Sequence, residues 1–160
     1  TTVPTRASAP VGTAAPTPPA SASGGPAGLP GDVCAMFSKA ELEALTGHGL
    51  VGSTAETGEF FGGPGCIWMF DIPSPNATWD LVLAFVSPGG RDLFERSKEF
   101  AASGTPMPDV GDDNYPMLGN AIVALKGDTM ITVQYVNTGS DANRLEVPRR
   151  FLEMVLAKIP

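Results

Sequence analysis

A chain of 160 residues with 17 acidic and 10 basic side chains, net charge -7, fits one domain. That balance argues against a nucleic-acid or anionic-membrane surface, both of which need clustered Lys and Arg. No apolar run reaches the roughly eighteen residues that a helix needs to span a bilayer.

Thr1 to Pro30 is built from Thr, Pro, Ala, Ser and Gly, with Arg6 as its one charge. Prolines recur too often for a helix or a paired strand, so residues 1–30 are expected to be a disordered stalk. A coil of that length spans roughly 30 Å and can hold a domain off a surface. Its Thr and Ser residues among Pro and Ala resemble glycosylated stalks. Residues 31–160 then form a single domain carrying 17 acids against 9 bases, or -8, once Arg6 is set aside. The first residues, Thr1-Thr2-Val3-Pro4, have neither the basic nor the apolar region of a signal peptide. A mature exported protein, its signal removed, begins in the same way.

The two cysteines, Cys34 and Cys66, are expected to form one disulfide pinning the first helix to the first core strand. A pair of cysteines in a small, Lys-poor domain behind a Pro/Thr/Ala stalk suits an exported protein. The alternative is a cytosolic protein with two reduced thiols.

The first helix start is clearly written. Ser38 is the N-cap and Glu41 the third helical residue of a capping box, with Phe37 and Leu42 placed as a hydrophobic staple. Gly47 is a natural left-handed stop. Leu50 to Gly65 has no clear period, although Glu59-Phe60-Phe61 could be a strand, and Gly62-Gly63-Pro64-Gly65 reads as a turn. Cys66 to Asp71 reads as a strand with Cys66, Trp68 and Phe70 on one face. Its near-continuous apolarity predicts cover on both faces. After a turn at Pro73–Asn76, Trp79 to Val86 is its antiparallel neighbour.

A helix is predicted over about Arg91 to Ser103, with Leu93, Phe94, Ser97, Phe100 and Ala101 as its apolar face. Asp109 to Pro116 reads as a polar loop. Ala121–Leu125 and Met130–Val136 form a hairpin turning at Gly127-Asp128. Ile131, Val133 and Tyr135 share its core face, and Thr132 and Gln134 are expected on a wet one. Asn137 to Asn143 is a loop. A last helix has Pro148 in its first turn and a stripe of Phe151, Leu152, Val155, Leu156 and Ile159. The fold class is therefore α+β, an antiparallel sheet packed with helices.

Few residues offer chemistry. A nucleophile needs a base within reach, and the lone histidine, His48, reads as an exposed loop residue. One histidine and two distant cysteines do not make a usual zinc site. Asp109, Asp112 and Asp113 could offer oxygens to Ca²⁺, but their spacing does not match the usual calcium loop, and turn or cap roles compete. Gly62-Gly63-Pro64-Gly65 leads into a strand, so no phosphate cradle at a helix N-terminus is expected and no cofactor is predicted. Asn76-Ala77-Thr78 matches a glycosylation sequon. A carboxylate-only enzyme would need Glu59 beside Asp71 or Asp112. Phe60, Phe61 and Tyr115 fall in loops or at edges, where they would form a binding surface if exposed, with core packing as the competing expectation.

Several motifs together carry a resemblance. Cys34-x-x-Phe37-Ser38 opens a capped helix, and the second cysteine is followed by Ile67-Trp68. Gly111-Asp112 stands ahead of a hairpin turning at Lys126-Gly127-Asp128, and the last helix ends Leu-Ala-Lys-Ile-Pro. Over about residues 34–160 this resembles the Cys-paired actinobacterial exported lipoproteins, a family of unknown function. The resemblance implies a PsbP-like α/β sandwich in the cell envelope, anchored through a lipidated N-terminal cysteine that this chain lacks. It implies no catalytic residues. The function expected is a non-enzymatic domain, secreted or membrane-anchored, that binds an unidentified envelope or membrane protein, possible roles including that of an accessory subunit of a membrane complex. The alternative is a small-ligand or Ca²⁺-binding extracytoplasmic domain.

Overall fold

The computed structural model describes residues 29–56, 62–71, 79–117, 120–137 and 145–160. The stalk up to residue 28, the Glu59–Phe61 strand, the turn at 73–76, the sequon and most of the 137–143 loop lie outside them.

A short 3₁₀ turn, Cys34–Met36, leads into helix α1, Lys39–Thr46. The capping box is formed: the Glu41 N–H donates to Ser38 Oγ at 3.3 Å, and the Ser38 N–H donates to Glu41 Oε2 at 2.7 Å. Each side chain thus satisfies a backbone donor that the helix leaves unpaired. Gly47 closes the helix at φ 74°, a conformation that glycine adopts without a Cβ clash.

Strands β1 (Leu50–Glu56), β2 (Gly65–Phe70) and β3 (Trp79–Val86) follow. Helix α2 spans Gly90–Ala101. Strands β4 (Asp113–Met117), β5 (Ala121–Lys126) and β6 (Thr129–Asn137) come next, and helix α3 (Glu146–Lys158) ends the chain. The six strands form one antiparallel sheet in the order β1-β2-β3-β6-β5-β4. The chain is α+β, as its sequence predicts.

Alternation along the central strands splits the core into two layers. Ile122 and Ala124 of β5 and Ile131, Val133 and Tyr135 of β6 join Trp68, Phe70, Leu81 and Leu83 beneath α1 and α3. Val123, Leu125 and Met130 point the other way, to Phe94 of α2 and Tyr115 of β4. The first layer is centred on three rings. Trp68 packs edge-on to Phe37 and Phe151 at 6.1 and 5.6 Å, and Phe37 lies 4.8 Å from Phe151. Such pairs contribute about 0.5–1.5 kcal/mol each beyond their buried area. The Phe37/Leu42 staple is buried, and so is the predicted α3 stripe apart from half-buried Leu156.

The disulfide joins Cys34 of the 3₁₀ turn to Cys66 of β2, with Cα atoms 5.1 Å apart. It fastens the N-terminal edge of the domain to an inner strand of the sheet.

Several sequence expectations are corrected. Leu50–Glu56, where the sequence has no clear period, is strand β1; its Gly-Ser-Thr-Ala centre buries little and shows no period-2 apolar signal. β2 is covered on one face only: Met69 is 38% exposed while Cys66, Trp68 and Phe70 are buried. Phe100 is 88% exposed, because α2 rests on Phe94 and turns Phe100 outward. Thr132 is buried, not wet, since α2 covers that face of β6. The segment 109–116, expected as a polar loop, holds all of β4 but its last residue, Met117. Pro116 is tolerated there because β4 is an edge strand.

Gly90 opens α2 for a steric reason. A Cβ there would lie 2.3 Å from the Met130 backbone nitrogen, so α2 meets the β5–β6 hairpin backbone to backbone.

Candidate functional site

The charged groups that sequence reasoning put forward are engaged in holding these elements together. Asp112 donates its N–H to Leu125 O at 2.7 Å and accepts the Gly127 N–H on Oδ2 at 2.7 Å, which fixes the β5–β6 turn. Asp113 is ion-paired with Lys98 of α2. That hydrogen bond, aided by the Asn114 N–H, holds its carboxyl below the usual range. Asp109 has φ 64° in the turn ahead of them. The three do not converge, and among the described residues no group of three His, Cys, Asp or Glu side chains could hold a metal ion.

Asp71 follows β2 and donates its N–H to Gly49 O at 2.7 Å. Asp112 lies at the β4–β5 end of the sheet, three or four strand spacings away, or roughly 14–19 Å. These acids share no cleft, and Glu59 falls outside the described residues. His48 is half-buried, not an exposed loop residue, and its N–H donates to Thr46 Oγ1 at 3.3 Å.

Of the three aromatic residues put forward as a surface, Phe60 and Phe61 lie outside the described residues. Tyr115 offers no surface. It is 1% exposed under α2, 5.2 Å from the Phe94 ring, and its hydroxyl bonds Ser97 Oγ at 2.7 Å. Burial pushes its phenol up from the ordinary value. A tyrosine in an otherwise polar octapeptide gave no periodic signal of which way it would turn.

Three structural roles went unread in the sequence. Asn114, buried, accepts the Met107 N–H at 2.8 Å and donates to Met107 O and Val110 O at 2.8 and 2.9 Å. It ties the Pro-rich connection to β4. Asp128 caps α2 from across the chain: its carboxylate accepts the Gly89 and Arg91 N–H groups at 2.8 and 3.3 Å. Those bonds lower its pKa. Lys158 donates to Met36 O and Glu41 Oε1, each at 2.9 Å, and lies 4.5 Å above the Phe37 ring. The Ser38 N–H and then Lys158 pull the Glu41 carboxyl down to about 2.

Among the described residues, the two surfaces best suited to a partner are a helix groove and a sheet edge. The first is a groove of about 620 Å³ between α1 and α3. Ala44, Leu45, Met154 and Ala157 form its floor, and Glu41, Arg150 and Glu153 stand on its rim. The i, i+3, i+4 spacing on both helices puts these residues along facing stripes. The second is the outer edge of β1, which ends the strand order. Val51 is 71% exposed there, and Ser53, Thr54 and Ala55 are exposed as well.

Comparison of the chain with protein-family models, with curated proteins and with solved structures finds no match.

Proposed function

We propose that this protein is a non-enzymatic, exported domain, tethered to the cell envelope by its N-terminal segment, that binds a protein partner there. The observation that carries the reading is the disulfide between Cys34 and buried Cys66. Such a bond persists in oxidising compartments and is rare in cytosolic proteins. The sequence resemblance to lipid-anchored actinobacterial proteins points to the same location.

Binding is favoured over chemistry by how the charged groups are used. Asp112, Asp113, Asp128, Glu41, Lys98 and Lys158 join elements of the fold to one another. The Ca²⁺ alternative draws no support from the acidic loop, since Asp112 and Asp113 already face a backbone N–H and an ammonium.

Thiol titration of the unreduced protein and fractionation of the source cells test the proposal together. No reactive thiol and recovery with the envelope are expected. Two titratable thiols, or recovery in the cytosol, would overturn it. Crosslinking in intact cells from an exposed position such as Val51 should then yield a discrete adduct with a second protein.

A further inference from the structure

We infer that the outer edge of β1 is the docking surface, and that its occupant is an extended segment of a partner protein carrying Lys or Arg, added to the sheet as a seventh strand. This rests on the binding reading above.

The two edges of the sheet are built differently. The β4 edge is closed. Pro116 offers no N–H, the Ser103 N–H donates to Pro116 O at 2.8 Å, and Ala102 bridges Met117. The Asn114 side chain then ties the following segment to the same strand through Met107. Proteins block free edges in just this way, with proline, covering segments and charge, because an open row of N–H and C=O groups recruits another strand.

The β1 edge has little of this. Its sequence, Leu50-Val51-Gly52-Ser53-Thr54-Ala55-Glu56, contains no Pro and no Lys. The register advances two residues on β1 for one on β2 between Leu50 and Gly52, a bulge that turns the first residues aside. From Gly52 to Glu56 the pairing with β2 is regular. Among the described residues no strand lies beyond it, and no backbone hydrogen bond outside the β1–β2 ladder reaches this stretch. Its side chains are small and exposed, so the strand contributes little to the core. What it presents outward is main chain.

That chemistry specifies the occupant in a way the α1–α3 groove does not. A row of alternating donors and acceptors is completed by another extended backbone, with side-chain pockets adding specificity. Apolar contact is at hand: the Met69 methyl lies against Gly52, and Val51 stands clear of the surface. Charge sets the sign of the partner. Glu43, paired with Lys39 at 3.6 Å, accepts the Leu50 N–H at 2.8 Å at one end of the edge, exposed Asp71 stands beside it with its N–H donated to Gly49 O, and Glu56 closes the other end. Around them the chain carries a net charge of -7.

The test selects binders to the full chain from a display library of random ten-residue peptides and maps the selected peptides by amide hydrogen exchange. The inference expects the winners to carry Lys or Arg with β-branched residues and to slow exchange across Gly52–Glu56. Each winner is then made in two alternating N-methylated forms. One pattern should bind like the parent, and the other should lose at least ten-fold, because only alternate amides of an added strand face β1. A Thr54→Lys variant with an unchanged melting temperature should weaken the same peptides about ten-fold. Slowed exchange elsewhere with β1 unaffected, two N-methyl patterns that behave alike, or a β1–β1 dimer at sedimentation equilibrium would overturn it. These peptides report on the edge by themselves. A failure of the cellular crosslinking would therefore remove the proposed function without altering the edge result.

Discussion

Cutting the Cys34–Cys66 bond is the perturbation with the most readily worked magnitude. The two cysteines are 32 residues apart in sequence. Releasing a loop of that length restores to the unfolded chain about 12 cal/mol/K of entropy, or about 3.7 kcal/mol at 25 °C on the chain-entropy treatment. Domains of this size are stable by only about 5–15 kcal/mol, so the loss is a large fraction of the total. It corresponds to a fall in Tm of roughly 10–15 °C. The variant of choice is the double substitution Cys34→Ala and Cys66→Ala. Serine at buried position 66 would add the separate cost of a hydroxyl under Trp68 and α3. Urea unfolding of the oxidised wild type, the reduced wild type and the double variant measures the effect. The last two should agree with each other. Both should also show a steeper dependence on urea than the oxidised protein, since an uncross-linked unfolded chain exposes more surface. A loss below about 1 kcal/mol, with all three slopes alike, would refute the entropic account of this bond.

Two aromatic residues six apart on α2 test the face that the helix buries. Phe94→Ala should cost about 3–5 kcal/mol in urea unfolding, whereas Phe100→Ala should stay within about 0.5 kcal/mol of wild type. Asn114→Ala leaves the Met107 N–H and two carbonyls without their partner and should cost about 2–4 kcal/mol, with faster exchange at the Met107 amide as the local signature. Glu41 is held down at about 2 by the Ser38 N–H and Lys158. Its stabilising effect is present above the ordinary carboxylate range, near 4.5, and is lost as pH falls from there toward 2. Glu41→Gln should flatten that part of the stability–pH curve, measured by thermal melts across it. Asp128→Ala should destabilise through the start of α2, while Asp128→Asn keeps much of the cap. Amide exchange at Gly89 and Arg91 separates the two.

Where local chemistry and burial point the same way, the structure was legible in the sequence. The Ser38–Glu41 box, the Gly47 stop, the Gly127-Asp128 hairpin and the α3 stripe each carry their own signal within a few residues. β1 carries none, because a strand that buries almost nothing has no reason to alternate. β4 is hidden for the opposite cause. Asn114 is polar by type but buried, made acceptable by three hydrogen bonds to Met107 and Val110 just upstream, a turn that has no apolar period to announce it. Phe100 misled because period 3.6 places it beside Leu93 on a wheel, about 120° from Phe94, and the α2 contact patch centred on Phe94 is narrower than that face. Thr132 misled because one helix crosses the second face of the hairpin, which no local pattern announces. The candidate surface was the least legible part. An open edge is defined by what is missing beside it, and the three aromatic residues drew attention elsewhere.

The proposed tethering would give the position of the disulfide a mechanical meaning. The N-terminal segment meets the domain at Leu29, which packs on the first core layer, and reaches Cys34 five residues later. Tension arriving along that segment passes through the sulfur atoms into β2, an inner strand bonded on both sides to β1 and β3. α1 and β1 lie inside the loop that the bond closes, so that tension bypasses them. A partner strand on β1 would pull on the β1–β2 ladder from the other side, and β2 would carry both loads. Without the cross-link, the same tension would fall first on the 3₁₀ turn and α1, held by the buried side chains of Phe37 and Leu42 and by the Lys158 contacts to Met36 and Glu41. Pulling the wild type from Leu29 and Pro160 should therefore leave residues 35–65 out of the released contour length. The reduced protein should show an early event at low force as α1 peels away. If the oxidised and reduced proteins unfold at the same force with the same extension, β2 is not the strand that bears the tether.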